Sequence, residues 1–212
     1  MNQQAIIVGT GGHCRTIVSL LSSCGVHKII GILDTSNPCL DEIILGVPVI
    51  GSLNYLDALD RSAEIDIFLA LGDSTLRQEL WFKYSKLGFS LPNLISPSAI
   101  VDPYAKLGNA NIICSRAFVG PEVVLGDNNL INTAAVLEHE VRLGSHCHLA
   151  SSSTVAGRCQ IGDNCFVGAG ATVINYVNVA SFTTIGAGAT VVSNISIPGV
   201  YVGIPARRRS FP

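Results

Sequence analysis

Charge is scarce in this chain. Asp, Glu, Lys and Arg together make up 13% of the 212 residues, and the formal net charge is −2. That balance removes any global electrostatic reason to expect nucleic acid or an anionic membrane as a partner. An anion site, if the protein has one, has to be local. No apolar run approaches the roughly eighteen residues of a membrane span, and the opening MNQQAIIVGTGG lacks a basic leader region before its first glycine turn. The expectation is a soluble, cytoplasmic protein that starts on a strand. The seven cysteines at 14, 24, 39, 114, 147, 159 and 165 contain no CxxC pair and no zinc-ribbon spacing, so free thiols in a reducing compartment are expected.

What is present falls into two textures. Up to about residue 90, short apolar runs alternate with segments of helical spacing. AIIVG (5–9) and IIGIL (29–33) read as strands, with HCRTIVSLLSSCG between them as a helix closing on a C-cap glycine. IDIFLAL (65–71) is a further buried strand, followed by STLRQELWFKYSKLG, a helix that Ser74 or Asp73 can cap and Gly88 ends. A β-α-β then β-α order implies a small parallel sheet covered by helices. GTGGH (9–13) sits where a strand opens a helix, a place where glycines let the backbone approach a phosphate and the helix N-terminus favours negative charge. Cys14 stands where GxGxxG needs its third glycine, so a nicotinamide dinucleotide is not supported.

From residue 94 the period becomes six. Counting hexads from Leu94, the second residue is Ile, Leu or Val seventeen times in succession, from Ile95 through Leu137 to Val191, and the sixth favours small residues. Neither a helix nor a plain strand has that period; short strands joined by regular corners do. Within this stretch VLEHEVRLGSHCHLA (136–150) gathers three of the five histidines with two carboxylates.

The hexads resemble those of the hexapeptide-repeat acyltransferases, and the EHE cluster, the terminal VYVGIPARR (200–208) and the small αβ unit in front resemble the bacterial sugar O-acyltransferases of the sialic-acid biosynthesis family. The likeness spans essentially the whole chain and lies close to the nucleotide-4-amino-sugar N-acetyltransferases. It implies an α/β Rossmann-like nucleotide-sugar-binding domain over 1–90 and an all-β left-handed parallel β-helix over 91–212, with eighteen residues per triangular coil. Aliphatic residues would fill the axis, and Cys147, Cys159 and Cys165 at sixth positions would be packing residues.

In that frame Leu137 points inward, Glu138 outward, and His139 and Glu140 fall at a corner. His139 is the expected general base, since imidazole suits proton transfer near neutrality, with Glu140 as its orienting partner and Glu138 as the fallback. One coil on, Gly157 would offer its N–H to the thioester oxygen. By resemblance His148 would lie near the acetyl-CoA thioester and Ala169, Ala187 and Gly188 would contact coenzyme A. FVGAGATVIN (166–175) and TIGAGATVVS (184–193), near-copies one coil apart, would leave a smooth groove for its pantetheine arm. His146 is expected at the surface, and Arg207 to Arg209 either meet coenzyme A phosphates or are merely solvated. In front, Gly11, Gly12 and His13 would line a pyrophosphate, Asp34 would contact the nucleoside, and the Gly72-Asp73 turn would close the site.

The expected activity is acetyl transfer from acetyl-CoA to the amino group of a nucleotide-linked 4-amino-4,6-dideoxy sugar by a homotrimer, with no metal. The competing readings are sialic-acid O-acetylation and a non-catalytic trimer that only binds nucleotide sugars. A zinc site on three histidines is disfavoured because residues 139, 146 and 148 fall on different kinds of position.

Overall fold

The computed structural model describes residues 3–59 and 64–209, which fall into two compact units, one ending at Leu94 and the other beginning at Ile95. In the first unit, β1 (Gln3–Val8) leads into α1 (Gly12–Cys24) and β2 (His27–Asp34). A hairpin of β3 (Ile43–Ile44) and β4 (Val47–Ser52) follows, then α2 (Asn54–Ala58), β5 (Ile65–Leu69) and α3 (Ser74–Lys86). The sheet order is β3-β4-β2-β1-β5, parallel except for the β3/β4 hairpin.

The signals that set these boundaries are local. Gly25 takes the left-handed C-cap conformation, φ 69°, and donates its N–H to Leu21. Asp73, not Ser74, caps α3 by accepting from the N–H groups of Thr75 and Leu76. The hairpin and α2 went unread in the sequence because these elements are short, and the hairpin carries exposed apolar residues, Ile43 in its first strand and Leu45 in its turn.

The second unit is a left-handed parallel β-helix. Seventeen two-residue strands, from Leu94–Ile95 to Thr190–Val191, recur every six residues, and each of the first fourteen pairs in parallel with the strand eighteen residues on. They stack into three sheets, one to each face of the prism. The strand Val200–Val202 extends one face, and the strand Arg207–Arg208 turns back antiparallel to it. Second-position residues from Ile113 to Val191 are almost wholly buried, as are the sixth-position residues Cys147, Cys159 and Cys165. All seven cysteines are free thiols.

The axis is not filled throughout. Ile95 is exposed and Val101 and Leu107 are half-buried, because the first coil stacks on a neighbouring coil at one side only.

The corners follow a rule that the residue types do not announce. Every sixth residue from Ala110 to Gly188 has φ between 55° and 65°, and all but Gly170 and Gly188 carry a side chain. A left-handed conformation costs an ordinary L-residue about 1–2 kcal/mol. From Asn128 to Gly188 it is held because each such N–H donates to a carbonyl one coil back, as Glu140 does to Pro121 at 2.9 Å and Arg158 to His139 at 3.0 Å.

Candidate active site

The corner after strand Val136–Leu137 carries His139 and Glu140. Leu137 is fully buried, and the following corner turns His139 out, leaving 53% of its side chain exposed. Its Nδ1 lies 3.0 Å from Oε2 of Glu140. Arg158, one coil on in the same corner column, donates its Nε to that same oxygen at 2.7 Å. The Arg158 bond, then the His139 bond, hold the Glu140 carboxyl below its usual titration range. Glu140 is therefore a carboxylate at neutral pH and can only accept, so the Nδ1 proton stays on Nδ1 and the lone pair is left on Nε2.

Gly157 lies against that nitrogen. A Cβ built on Gly157 would fall 2.5 Å from both Cε1 and Nε2 of His139, so no larger residue fits above the imidazole as it stands. The Gly157 carbonyl accepts from Tyr176 at 3.1 Å, while its N–H donates to no partner among the described residues. A base with its lone pair exposed beneath a free amide donor can take a proton from a nucleophile and stabilise an oxyanion. Tyr104, Pro121, Glu122, His139 and Glu140 line a hollow of about 360 Å³ at this edge.

The other expected residues of the β-helix lie elsewhere on the prism. His148 is on a flat face, half-buried, with its ring edge-on to Phe166 at 5.0 Å between centroids. Ala169, Ala187 and Gly188 are exposed at a different edge from His139, the one that precedes strands Thr172–Val173 and Thr190–Val191. A single chain thus carries His139 and the smooth small-residue corners on separate edges.

His146 corrects a reading made from the sequence. Expected at the surface, it is 4% exposed, with Nδ1 2.9 Å from Nδ2 of Asn128 one coil back. Its corner turns the ring onto the preceding coil, so it serves packing. Arg207, Arg208 and Arg209 are exposed; Arg208 donates to the Pro198 carbonyl at 3.2 Å and Arg207 to that of Ala206 at 3.1 Å. Among the described residues no group of three or more His, Cys, Asp or Glu side chains is arranged to hold a metal ion.

In the first unit the expected residues do converge. Gly11 and Gly12 follow β1, Asp34 ends β2, and Gly72 and Asp73 follow β5, all at the carboxyl ends of adjacent parallel strands, where open α/β sheets bind ligands. Gly11, Gly12 and Gly72 have open space where a side chain would be. Thr10 donates its hydroxyl to Oδ2 of Asp34, and Ser36 donates its N–H to Oδ1 at 2.7 Å, which together lower the Asp34 pKa. Asp73 commits its carboxylate to the cap of α3.

His13 is neutral. Burial first, and the charge of Arg77 second, lower its pKa to about 4, and its buried Nε2 has no hydrogen-bond partner. Such a group offers a ligand one hydrogen bond but no charge. Arg77, 1% exposed and anchored by a 3.0 Å bond to the Leu71 carbonyl, was missed in the sequence, where it reads as one more polar residue of a helix. Arg158 and Tyr176 were also missed, although both lie on the column reached by adding eighteen to Glu140.

Comparison with known proteins agrees with this architecture. The family described as the PglD N-terminal domain matches residues 4–84, and the bacterial transferase hexapeptide family (six repeats) matches 140–175. A comparison with curated protein sequences gives no match. Among solved structures, PerB from Caulobacter crescentus, in complex with CoA and GDP-perosamine, is 36% identical with a TM-score of 0.91, covering 98% of this chain and 97% of that one. The acetyltransferase domain of PglB from Neisseria gonorrhoeae FA1090 is 30% identical with a TM-score of 0.92, covering 98% and 100%. WeeI from Acinetobacter baumannii AYE, at 17% identity and a TM-score of 0.86 over 96% of this chain and 98% of that one, shares the fold.

An α/β unit of the PglD N-terminal domain family, followed in the chain by a bacterial transferase hexapeptide β-helix with a corner His-Glu pair, defines a class of acyltransferases. The chain belongs to the nucleotide-amino-sugar acetyltransferase family.

Proposed function

We propose that the protein transfers acetyl from acetyl-CoA to the amino group of a nucleotide-linked 4-amino-4,6-dideoxy sugar, with His139 as general base. The observation that carries this reading is the His139 imidazole held by Glu140 through Nδ1, with Nε2 beneath Gly157. PerB, similar over nearly the whole chain, was solved with CoA and GDP-perosamine, and the PglB domain with acetyl coenzyme A.

The acceptor amine attacks the thioester carbonyl, forming the C–N bond as its proton passes to His139 Nε2. The carbonyl oxygen becomes an oxyanion that the Gly157 N–H can stabilise. Collapse of the tetrahedral intermediate breaks the C–S bond, and the imidazolium returns its proton to the leaving thiolate, which restores the neutral base. Glu140 stabilises the imidazolium in between.

A homotrimer accounts for the separation of the sites on one chain. Ala169, Ala187 and Gly188 lie at a different edge from His139, and side-by-side packing of β-helices would bring the edge of one copy to the other edge of the next, enclosing coenzyme A in a crevice, with His148 on an adjoining face. In the first unit, Gly11 and Gly12 at the N-terminus of α1 would meet the diphosphate. Neutral His13 would add a hydrogen bond, Asp34 would face the nucleoside, and the Gly72-Asp73 turn would border the ligand. Acetyl-CoA and nucleotide sugars are cytoplasmic metabolites, and the reaction belongs there. Among the described residues no helix is long and apolar enough to cross a membrane.

The test is thiol release from acetyl-CoA in the presence of GDP- and UDP-linked 4-amino-4,6-dideoxy sugars and of free sialic acid. Turnover is expected with one of the amino sugars. Turnover with sialic acid alone would make the protein an O-acetyltransferase, and turnover with none, alongside tight nucleotide-sugar binding, would make it a binding scaffold.

A further inference from the structure

We propose that Arg158, clamped by Tyr176, is a positioning residue of the acetyl transfer, which fixes the Glu140 carboxylate so that Glu140 in turn fixes His139. This rests on the reading of His139 as the base.

Glu140, Arg158 and Tyr176 occupy one corner column at intervals of eighteen residues, and all three sit in the left-handed conformation at φ 60°, 62° and 64°. Four other corners of this kind, Asn128, Asn164, Gly170 and Gly188, hold Asn or Gly, which suit that conformation better than a long charged side chain, while Arg116 and Glu122 show that a long charged residue is tolerated there. What sets Arg158 apart is that two of its side-chain nitrogens bond within the column. Nε meets Oε2 of Glu140 at 2.7 Å, and one terminal nitrogen meets the Tyr176 hydroxyl at 3.0 Å. The guanidinium carbon also lies 5.7 Å from the centre of the Tyr176 ring. The Arg158 N–H donates to the His139 carbonyl at 3.0 Å, so this coil grips both members of the pair, one by backbone and one by side chain.

The shared oxygen is the informative detail. His139 Nδ1 and Arg158 Nε converge on Oε2 of Glu140, so the guanidinium decides where the acceptor of the imidazole proton lies. One coil back in the same column, Glu122 lines the same polar hollow of about 230 Å³, and a like charge there pushes Glu140 away from its place. Arg142 lines the hollow too but makes no ion pair with either carboxylate among the described residues. Loss of Arg158 therefore leaves Glu140 with a repelling neighbour and only His139 to hold it. Half of the Arg158 side chain is exposed, and exposed ion pairs add little to folding stability. Its effect is expected in turnover.

The experiment combines kinetics with a spectroscopic signature in the full-length protein. Arg158→Met is expected to lower kcat about tenfold, with KM for acetyl-CoA and for the amino-sugar nucleotide unchanged and the thermal midpoint preserved. Arg158→Lys should recover part of the rate and Tyr176→Phe should lose a smaller part. On a Glu140→Gln background, Arg158→Met should cost nothing more, since both act through one route. Independently of any substrate, ¹⁵N-labelled histidine spectra, with His139 assigned by its loss in His139→Gln, should show one ring tautomer in the wild type, protonated on Nδ1, and a mixture in Arg158→Met. The proposal is overturned by an unchanged kcat with an unchanged tautomer, by a loss confined to the KM for acetyl-CoA, or by losses that multiply with Glu140→Gln. If His139→Ala retains full turnover, the reading of the base fails first. If His139→Ala is inactive while Arg158→Met is indifferent, only the present inference fails.

Discussion

The two units position functional groups by different means. In the first, Gly11 and Gly12, Asp34 and Gly72 come from three stretches of chain that meet only because β2, β1 and β5 lie side by side. In the β-helix, His139, Gly157, Glu140, Arg158 and Tyr176 meet because eighteen residues return the chain to the same corner. A site built on a column inherits its geometry from the repeat. A site built at strand ends depends on loop conformations and on caps such as Asp73, and the carboxylates there are shared between structure and any ligand. The lesson is that in a solenoid a substitution can be judged by its place in the column, whereas in the α/β unit each position has its own environment.

Substitutions can break or sharpen that contrast. The largest effect is expected from His139→Ala, which should reduce kcat by about a thousandfold while leaving the thermal unfolding midpoint where it was. A parallel fall in the midpoint would mean that the corner histidine is structural. Next comes Leu149→Ala, at a wholly buried axial position, which should destabilise the fold by about 3 kcal/mol in chemical denaturation.

Of similar size is a pH effect confined to the first unit. The His13 pKa is lowered to about 4 from 6.5, so the unfolded chain binds the extra proton between those values. Stability is level above pH 6.5 and falls as pH drops towards 4, by about 3 kcal/mol. His13→Gln should flatten that limb of the stability curve, and an unaltered limb would assign the acid sensitivity to other groups. Gly157→Ala should cost about a hundredfold in kcat by displacing the imidazole, with little change in stability since the Gly157 backbone is not left-handed.

The smallest effect separates the two architectures most directly. Ser152 is exposed at a left-handed corner, φ 57°, and Ser152→Gly should be neutral or stabilising by up to about 1 kcal/mol. Glu79→Gly, at an exposed position inside α3, should destabilise by about 1 kcal/mol. Equal signs at the two sites would show that corner strain does not matter.

The repeat made the solenoid legible because an unbroken six-residue period encodes one local geometry many times over, and it carried His139, Glu140 and Gly157 to one corner before any coordinates. It also misled at its margins. Ile95, Val101 and Leu107 fit the pattern as well as Leu137 does, yet the first coil lacks a neighbour on one side and leaves them partly in solvent. His146 looked like any exposed corner polar residue, and only the stacking of Asn128 beneath it makes it a packing residue. In the first unit the period was broken by short strands, so the hairpin and α2 were silent, and a buried arginine inside a helix gave no sign of its effect on His13.

By itself, the sequence determined the strand period, the inward aliphatic column, the glycine turn after β1 and the caps, because each depends on neighbours within a few residues or one repeat. The tertiary structure decided which oxygen His139 and Arg158 share, which imidazoles are buried, and that His139 and the small-residue corners occupy separate edges. Those facts arise from the stacking of one coil on the next and from the order of strands in a sheet, and through-space distances of that kind are not written in any short stretch of chain.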